Sequence, residues 1–260
     1  MNIKKSITNL GSLTIRFLEE LGTTFILLGK VFTSLLYKHF PFKGVIQQIY
    51  LIGYKSISMI ALTSFFMGMV IAFSTGVYLE SKLSGVSAYT GGAIAVAFIR
   101  EIGPIITSLL MAGKSGSAVA AEIGSMVVTE QVDAMITMGV RPVQYLILPR
   151  VLAGGFAFPI LTFIADLMGI IGGSIVAHLY VHQSFQAYYN NATSMIELES
   201  VVLGFVKSIV LGLTVIFISC SRGYFVKGGT ESVGISTTQA VVISSLLTVI
   251  LDYFMTAFAS

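Results

Sequence analysis

Apolar residues fill five long blocks of this chain, at about 56–79, 88–112, 151–177, 198–219 and 235–258, with short polar stretches between them. Each block meets the roughly 20-residue length that a helix needs to cross a bilayer. Ahead of the first block, Phe17, Leu21, Phe25, Leu28, Phe32 and Leu36 recur at helical spacing. That spacing predicts an amphipathic helix lying in the membrane interface; the alternative, a short extra span from Leu21 to Tyr37, would invert the N-terminus. Between the second and third blocks, Val128, Val132, Met135 and Ile136 share one helical face while Glu130, Asp133 and Thr137 share another. A short helix is expected over about 128–139, with Thr129 as N-cap, Gly139 ending it and Pro142 preventing early resumption. Its polar face is acidic, whereas helices resting on anionic lipid carry Lys or Arg. An acidic face suits a basic protein partner.

Composition agrees with the pattern. The 260 residues are 55% hydrophobic and 10% charged, with mean hydropathy +0.90, against about 25% charged in soluble domains. The predicted fold is an all-α integral membrane protein of one domain, 1–260: an interfacial region over 1–50, then a five-span core over 51–260. Glu19, Glu20 and Lys30 interrupt the first apolar stretch, so 1–30 does not read as a signal peptide. Lys and Arg gather on one side. Lys4, Lys5, Arg16, Lys30, Lys38, Lys43 and Lys55 precede the first span, Lys114, Arg141 and Arg150 follow the second, and Arg222 and Lys227 follow the fourth, while the alternate loops hold only Lys82. The positive-inside rule then puts the N-terminus in the cytoplasm and the C-terminus outside. With this arrangement the net charge of +3 and pI of 8.9 do not describe a nucleic-acid groove. The single Cys220 excludes an intramolecular disulfide.

Charges inside the apolar blocks narrow the chemistry. A charge at the centre of a membrane helix costs about 2.5–3.5 kcal/mol even on the gentler scale, so Arg100, Glu101, Asp166 and Lys207 need partners or a wet cavity. One reading pairs them structurally. A second makes them a polar patch in a lipid cavity, with Arg100 holding a phosphate. A third makes them the ion relay of a secondary transporter. Pro104, just after "REIG", and Pro159 predict kinks. Two short motifs carry less. "GKSGS" around Lys114 lacks the first glycine of a phosphate-binding loop, since position 108 is Ser108. The same segment offers Ser115 as a serine-protease nucleophile with His178 or His182 as base, but the topology puts them at opposite ends of a core about 30 Å thick. The i, i+4 spacing of these histidines suits a metal, but no third ligand lies nearby in the sequence.

The run "AGKSGSAVAAEIGSMVVTEQVDAM", the upstream "FIREIGP" and the downstream "GVRPVQYLILPRVLAG" resemble the MlaE (YrbE, or TTG-permease) family. The resemblance reaches to "LDYFMTAF" and implies the membrane subunit of a lipid-transporting ABC system. It implies a homodimer working with a cytoplasmic ABC ATPase dimer that binds ATP and Mg, a periplasmic MCE-domain protein, phospholipid as cargo and a small regulatory subunit in some systems. No cofactor, metal or catalytic residue is implied in this chain. Carried over, Glu130, Gln131 and Asp133 become the ATPase-contacting face of a coupling helix, with Glu122 and Gly124 placing its start. Arg100, Glu101, Val77, Tyr78 and Leu79 become lipid-cavity residues. The bacterial inner membrane is the implied location, with the plastid inner envelope as the alternative. The resemblance departs at 234–242, where relatives carry an arginine and this chain has Gln239 and no basic residue.

Overall fold

The computed structural model describes residues 3–36, 42–77 and 90–259. Among these it is built of helices: α1 (Ile3–Leu35), α2 (Phe42–Gly76), α3 (Thr90–Val128), α4 (Gln131–Thr137), α5 (Val143–Tyr180), α6 (Phe185–Met195), α7 (Leu198–Tyr224) and α8 (Thr230–Ala259). Five of them, α2, α3, α5, α7 and α8, are long and apolar enough to cross a membrane. The five-span all-α expectation therefore holds. The helices overrun the apolar blocks. At 1.5 Å per residue, the 39 residues of α3 reach about 58 Å, nearly twice the hydrocarbon thickness. Hydropathy marks the segment in oil, whereas backbone hydrogen bonding carries the helix beyond it.

The α5 helix is apolar all round and sits between α2 and α7, with α7 leaning on α3 and α8. Small residues set those distances. A Cβ on Gly68 or Gly172 would overlap the backbone of Gly169 or Phe65, and Gly154 and Gly212 face each other's carbonyls across α5 and α7. Helix pairs in lipid lack a hydrophobic drive toward each other, so close backbone approach supplies their van der Waals contact. Pro159 lies inside α5 without ending it. Pro142 is not a stop either: α5 resumes immediately after it, in keeping with proline's tolerance in a first helical turn.

Helix α1 is amphipathic as expected. Leu27, Val31 and Ser34 are buried against the start of α5, while Phe25, Phe32 and Leu36 are exposed. It is not among the helices apolar enough to span, and the side chain of Phe17 lies outside the described residues. At the end of the bundle remote from Lys30 and Arg222, α6 lies across the start of α3, where Gly91 and Gly92 let Tyr188 and Met195 approach. Ser184 caps α6, its hydroxyl accepting from Ala187 N at 3.2 Å.

Candidate functional site

Three of the spans, α3, α7 and α8, converge on one charged cluster. Pro104 has no N–H to give the carbonyl of Arg100, four residues earlier, and a π-helical turn runs over Phe98–Ile102. The Arg100 carbonyl instead accepts from Lys207 Nζ of α7 at 3.1 Å. The same ammonium donates to Glu101 Oε2 at 2.5 Å and to Thr256 Oγ1 of α8 at 2.6 Å. A lysine has three N–H donors, and all three are taken. Asp252 Oδ1 therefore meets Lys207 by charge at 3.0 Å, without hydrogen-bond alignment. Lys207 is fully buried, Asp252 is 8% exposed, and Glu101 and Arg100 are about 30% exposed. Two cations and two anions balance, which is how four charges persist inside apolar helices.

Arg100 and Glu101 are the partly exposed members, and Arg100 is the more loosely held. Its one side-chain partner among the described residues is Glu101, at 3.7 Å from Nε to Oε1. A regular helix would point these neighbours about 100° apart; the wider π turn brings them within ion-pair range. Counted along α3, α7 and α8, the charges sit about 10–15 Å from the same ends of the three spans, so they meet at one depth. Asp166 does not join them: its carboxylate lies against Gly103 on the α3–α5 contact, with Oδ1 buried and unbonded. Asp252 and Thr256 went unpredicted. The signal was present, a lone acid in an apolar block with a threonine one turn later, on the same face. Val77 ends the π-helical tail of α2, with its side chain outside the described residues, and Tyr78 and Leu79 lie wholly outside them.

The second candidate region is the α3–α4 turn. Thr129 is not the N-cap. Its hydroxyl bonds back to Ser125 O at 2.8 Å, closing α3, and Glu130 takes the cap position with φ 58 in the left-handed region. The chain reverses through left-handed Glu130, and the threonine oxygen, while donating to Ser125 O, accepts from the Gln131 side chain at 3.0 Å and not from a backbone N–H of α4. The helix is thus seven residues, Gln131–Thr137, and Val128 belongs to α3. Gly139 ends it as expected, at φ 76, with Gly139 N bonded to Ile136 O and Val140 N to Met135 O, the two bonds of a Schellman closure. Val132 is buried, Met135 packs partly against the core, and Ile136 is exposed with Glu130, Gln131 and Asp133. The outer face is therefore acidic with apolar points at Ile136 and Met138, rather than purely polar.

Glu122 and Gly124 anchor this turn. Glu122 Oε1 pairs with Arg150 Nη2 at 2.9 Å, and the buried Arg150 also donates to Leu146 O at 2.6 Å, so α3 is tied to α5 just before α4 begins. A Cβ on Gly124 would stand 3.2 Å from Val226 and Val233, so its absence lets the α7–α8 connection press in. Ser115 and the histidines do not meet. Ser115 Oγ contacts Met111 Sδ at 3.9 Å, while His178 Nδ1 bonds Gln183 O at 3.1 Å and stacks on Phe185.

A family profile described as Permease MlaE matches residues 45–258. The chain belongs to the MlaE permease family. A probable ABC transporter permease protein of Rickettsia bellii is 35% identical over 98% of this chain and 97% of its own length. The MlaE permease of the intermembrane phospholipid transport system of Haemophilus influenzae is 33% identical over 96% of each. The chloroplastic protein trigalactosyldiacylglycerol 1 of Arabidopsis thaliana is 36% identical over 90% of this chain and 66% of its own. Membership makes the chain an ABC-transporter permease, a multi-pass transport subunit whose family implies a separate ATPase and a substrate-binding partner.

Proposed function

We propose that this MlaE-family permease works as a homodimer in a bacterial inner membrane, moving phospholipid between that membrane and a periplasmic MCE-domain protein. A cytoplasmic ATPase dimer, which binds ATP and Mg, drives it. The observation that carries the lipid reading is Arg100, about 30% exposed on a membrane span and held, among the described residues, by a single 3.7 Å side-chain contact to Glu101. Its guanidinium has donors left for a phosphate, and fork-like donors suit phosphate oxygens. Lys207 and Glu101 hold the backbone and side chain beside it in place. The name of the Haemophilus influenzae relative supplies the same substrate class, and the plastid envelope is the alternative setting suggested by the plant relative.

In this reading α4 is the mechanical link. Glu130, Gln131 and Asp133 face the ATPase, and the Glu122–Arg150 pair passes movement of α4 into α5 and the spans around it. A two-state dimer cavity is then biased by nucleotide. The ion-relay alternative has less support, because every Lys207 donor already has a fixed acceptor. Reversing both acidic charges, Glu130→Lys with Asp133→Lys, tests the link. We expect loss of ATPase co-purification and of lipid transfer with the membrane fold unchanged; unaltered transfer would refute it.

A further inference from the structure

A cleft of about 660 Å³ opens between α1 and the α7–α8 hairpin. It lies about 22 Å along α7 from Lys207, counting fifteen residues to Arg222, at the Lys- and Arg-rich end of the bundle. Its walls carry both signs of charge. Arg222 Nη1 donates to Glu20 Oε2 at 2.7 Å, and the Thr24 and Ser221 hydroxyls lie 3.3 Å apart, so α1 is pinned to α7. That ion pair uses one of five guanidinium donors. Lys227 and Glu19, on opposite sides of the cleft, form no ion pair among the described residues. A simple anion would satisfy only the cations and a simple cation only Glu19. A zwitterion satisfies both.

At Gln239 the cleft adjoins a second hollow, an almost wholly apolar groove of about 350 Å³ on α8 bordered by Ile235 and Val242. A polar chamber opening into an apolar groove is the outline of an amphiphile, head and chain. The exposed Phe25 and Phe32 of α1 place the chamber at headgroup depth, since an interfacial helix buries its apolar face only about 5–10 Å into the bilayer. The volume falls within the range of about 300–1,000 Å³ usual for small-molecule sites.

We propose that this cleft binds a phospholipid with an ammonium-phosphate headgroup from the adjacent leaflet. The phosphate lies against Arg222 and Lys227, the ammonium against Glu19, and one acyl chain along the α8 groove. Its chemistry rests on the cleft alone; a role in loading cargo rests on the transport reading above. The test uses the full chain in nanodiscs doped with photoreactive-chain phosphatidylethanolamine or phosphatidylglycerol, with crosslinks mapped by peptide mass spectrometry. The wild type should crosslink phosphatidylethanolamine to 235–243 several-fold more than phosphatidylglycerol. Glu19→Gln should abolish that preference while sparing phosphatidylglycerol, and Lys227→Gln should lower both. Soluble phosphoethanolamine should not displace the lipid; displacement would overturn the acyl-groove half of the proposal. Equal labelling of the two lipids, or labelling unchanged in both variants, would overturn the site. Glu19 and Lys227 are exposed, so an unchanged melting temperature shows that the variants fold. Transport is not the readout, so failure of the cleft leaves the Arg100 reading standing, and failure of transport leaves the cleft standing.

Discussion

At the scale of single residues, Lys207 ties the charged cluster together. It is fully buried and holds Glu101, Asp252 and Thr256 together across three helices. Removing one partner of a buried cluster strands the others, at a cost of about 3–5 kcal/mol, whereas neutralising all of them is far milder. Lys207→Met should therefore lower the melting temperature sharply, and adding Glu101→Gln and Asp252→Asn should restore most of it; a triple variant no better than the single one would contradict the pairing. Glu122→Gln should likewise destabilise, because Arg150 is left buried without its anion, while Glu130→Gln should leave stability unaltered. The costly charges Arg100, Glu101 and Lys207 were legible in the sequence because each interrupts an apolar block. Pairing with Lys207 is one of the sequence readings and the Glu101 contact agrees with it; that Asp252 and not Asp166 completes the cluster was not legible, since contacts between distant helices depend on how the helices lean together.

Single helices show why some features could be read and others not. The presence of α4 and its glycine stop followed from periodicity, and Gly139 at φ 76 bears out the stop. Its start did not, because α3 runs on to Val128 and the chain reverses through left-handed Glu130, a backbone choice that periodicity does not mark. Gly139→Val should destabilise by about 1–2 kcal/mol, the cost of a side chain in left-handed backbone, as read by thermal unfolding; no change would mean that the Schellman closure is not formed. Helix α6 was missed altogether. Its sequence, FQAYYNNATSM, carries Phe185, Tyr188, Ala192 and Met195 at helical spacing, but over only about three turns and among polar residues; the buried Tyr188 and Ala192 and the Ser184 cap hold it. The glycine contacts between spans give a further test. Gly68→Val would wedge α2 from Gly169 and should destabilise by about 1–3 kcal/mol, the usual cost of overpacking; a neutral effect would mean that the helices stand further apart.

For the whole molecule, we propose from the asymmetric placement of Lys and Arg that the N-terminus is cytoplasmic, and the lone cysteine, buried in α7, makes this easy to check. An impermeant thiol reagent should label Thr193→Cys on α6 in intact cells and Met138→Cys beside α4 only after permeabilisation; the reverse pattern would invert the topology. Five spans, an amphipathic first helix and an exposed acidic helix were all visible as patterns of oil and charge. The partners that complete a transporter lie beyond a single chain's pattern, and the family relationship is what implies them. Native mass spectrometry of the permease released gently from its own membrane tests the transporter assembly as a whole. We expect two copies of the chain with two ATPase subunits, an MCE-domain partner and co-purifying phospholipid. A permease without ATPase or lipid, under conditions that keep a control ABC complex intact, would contradict it.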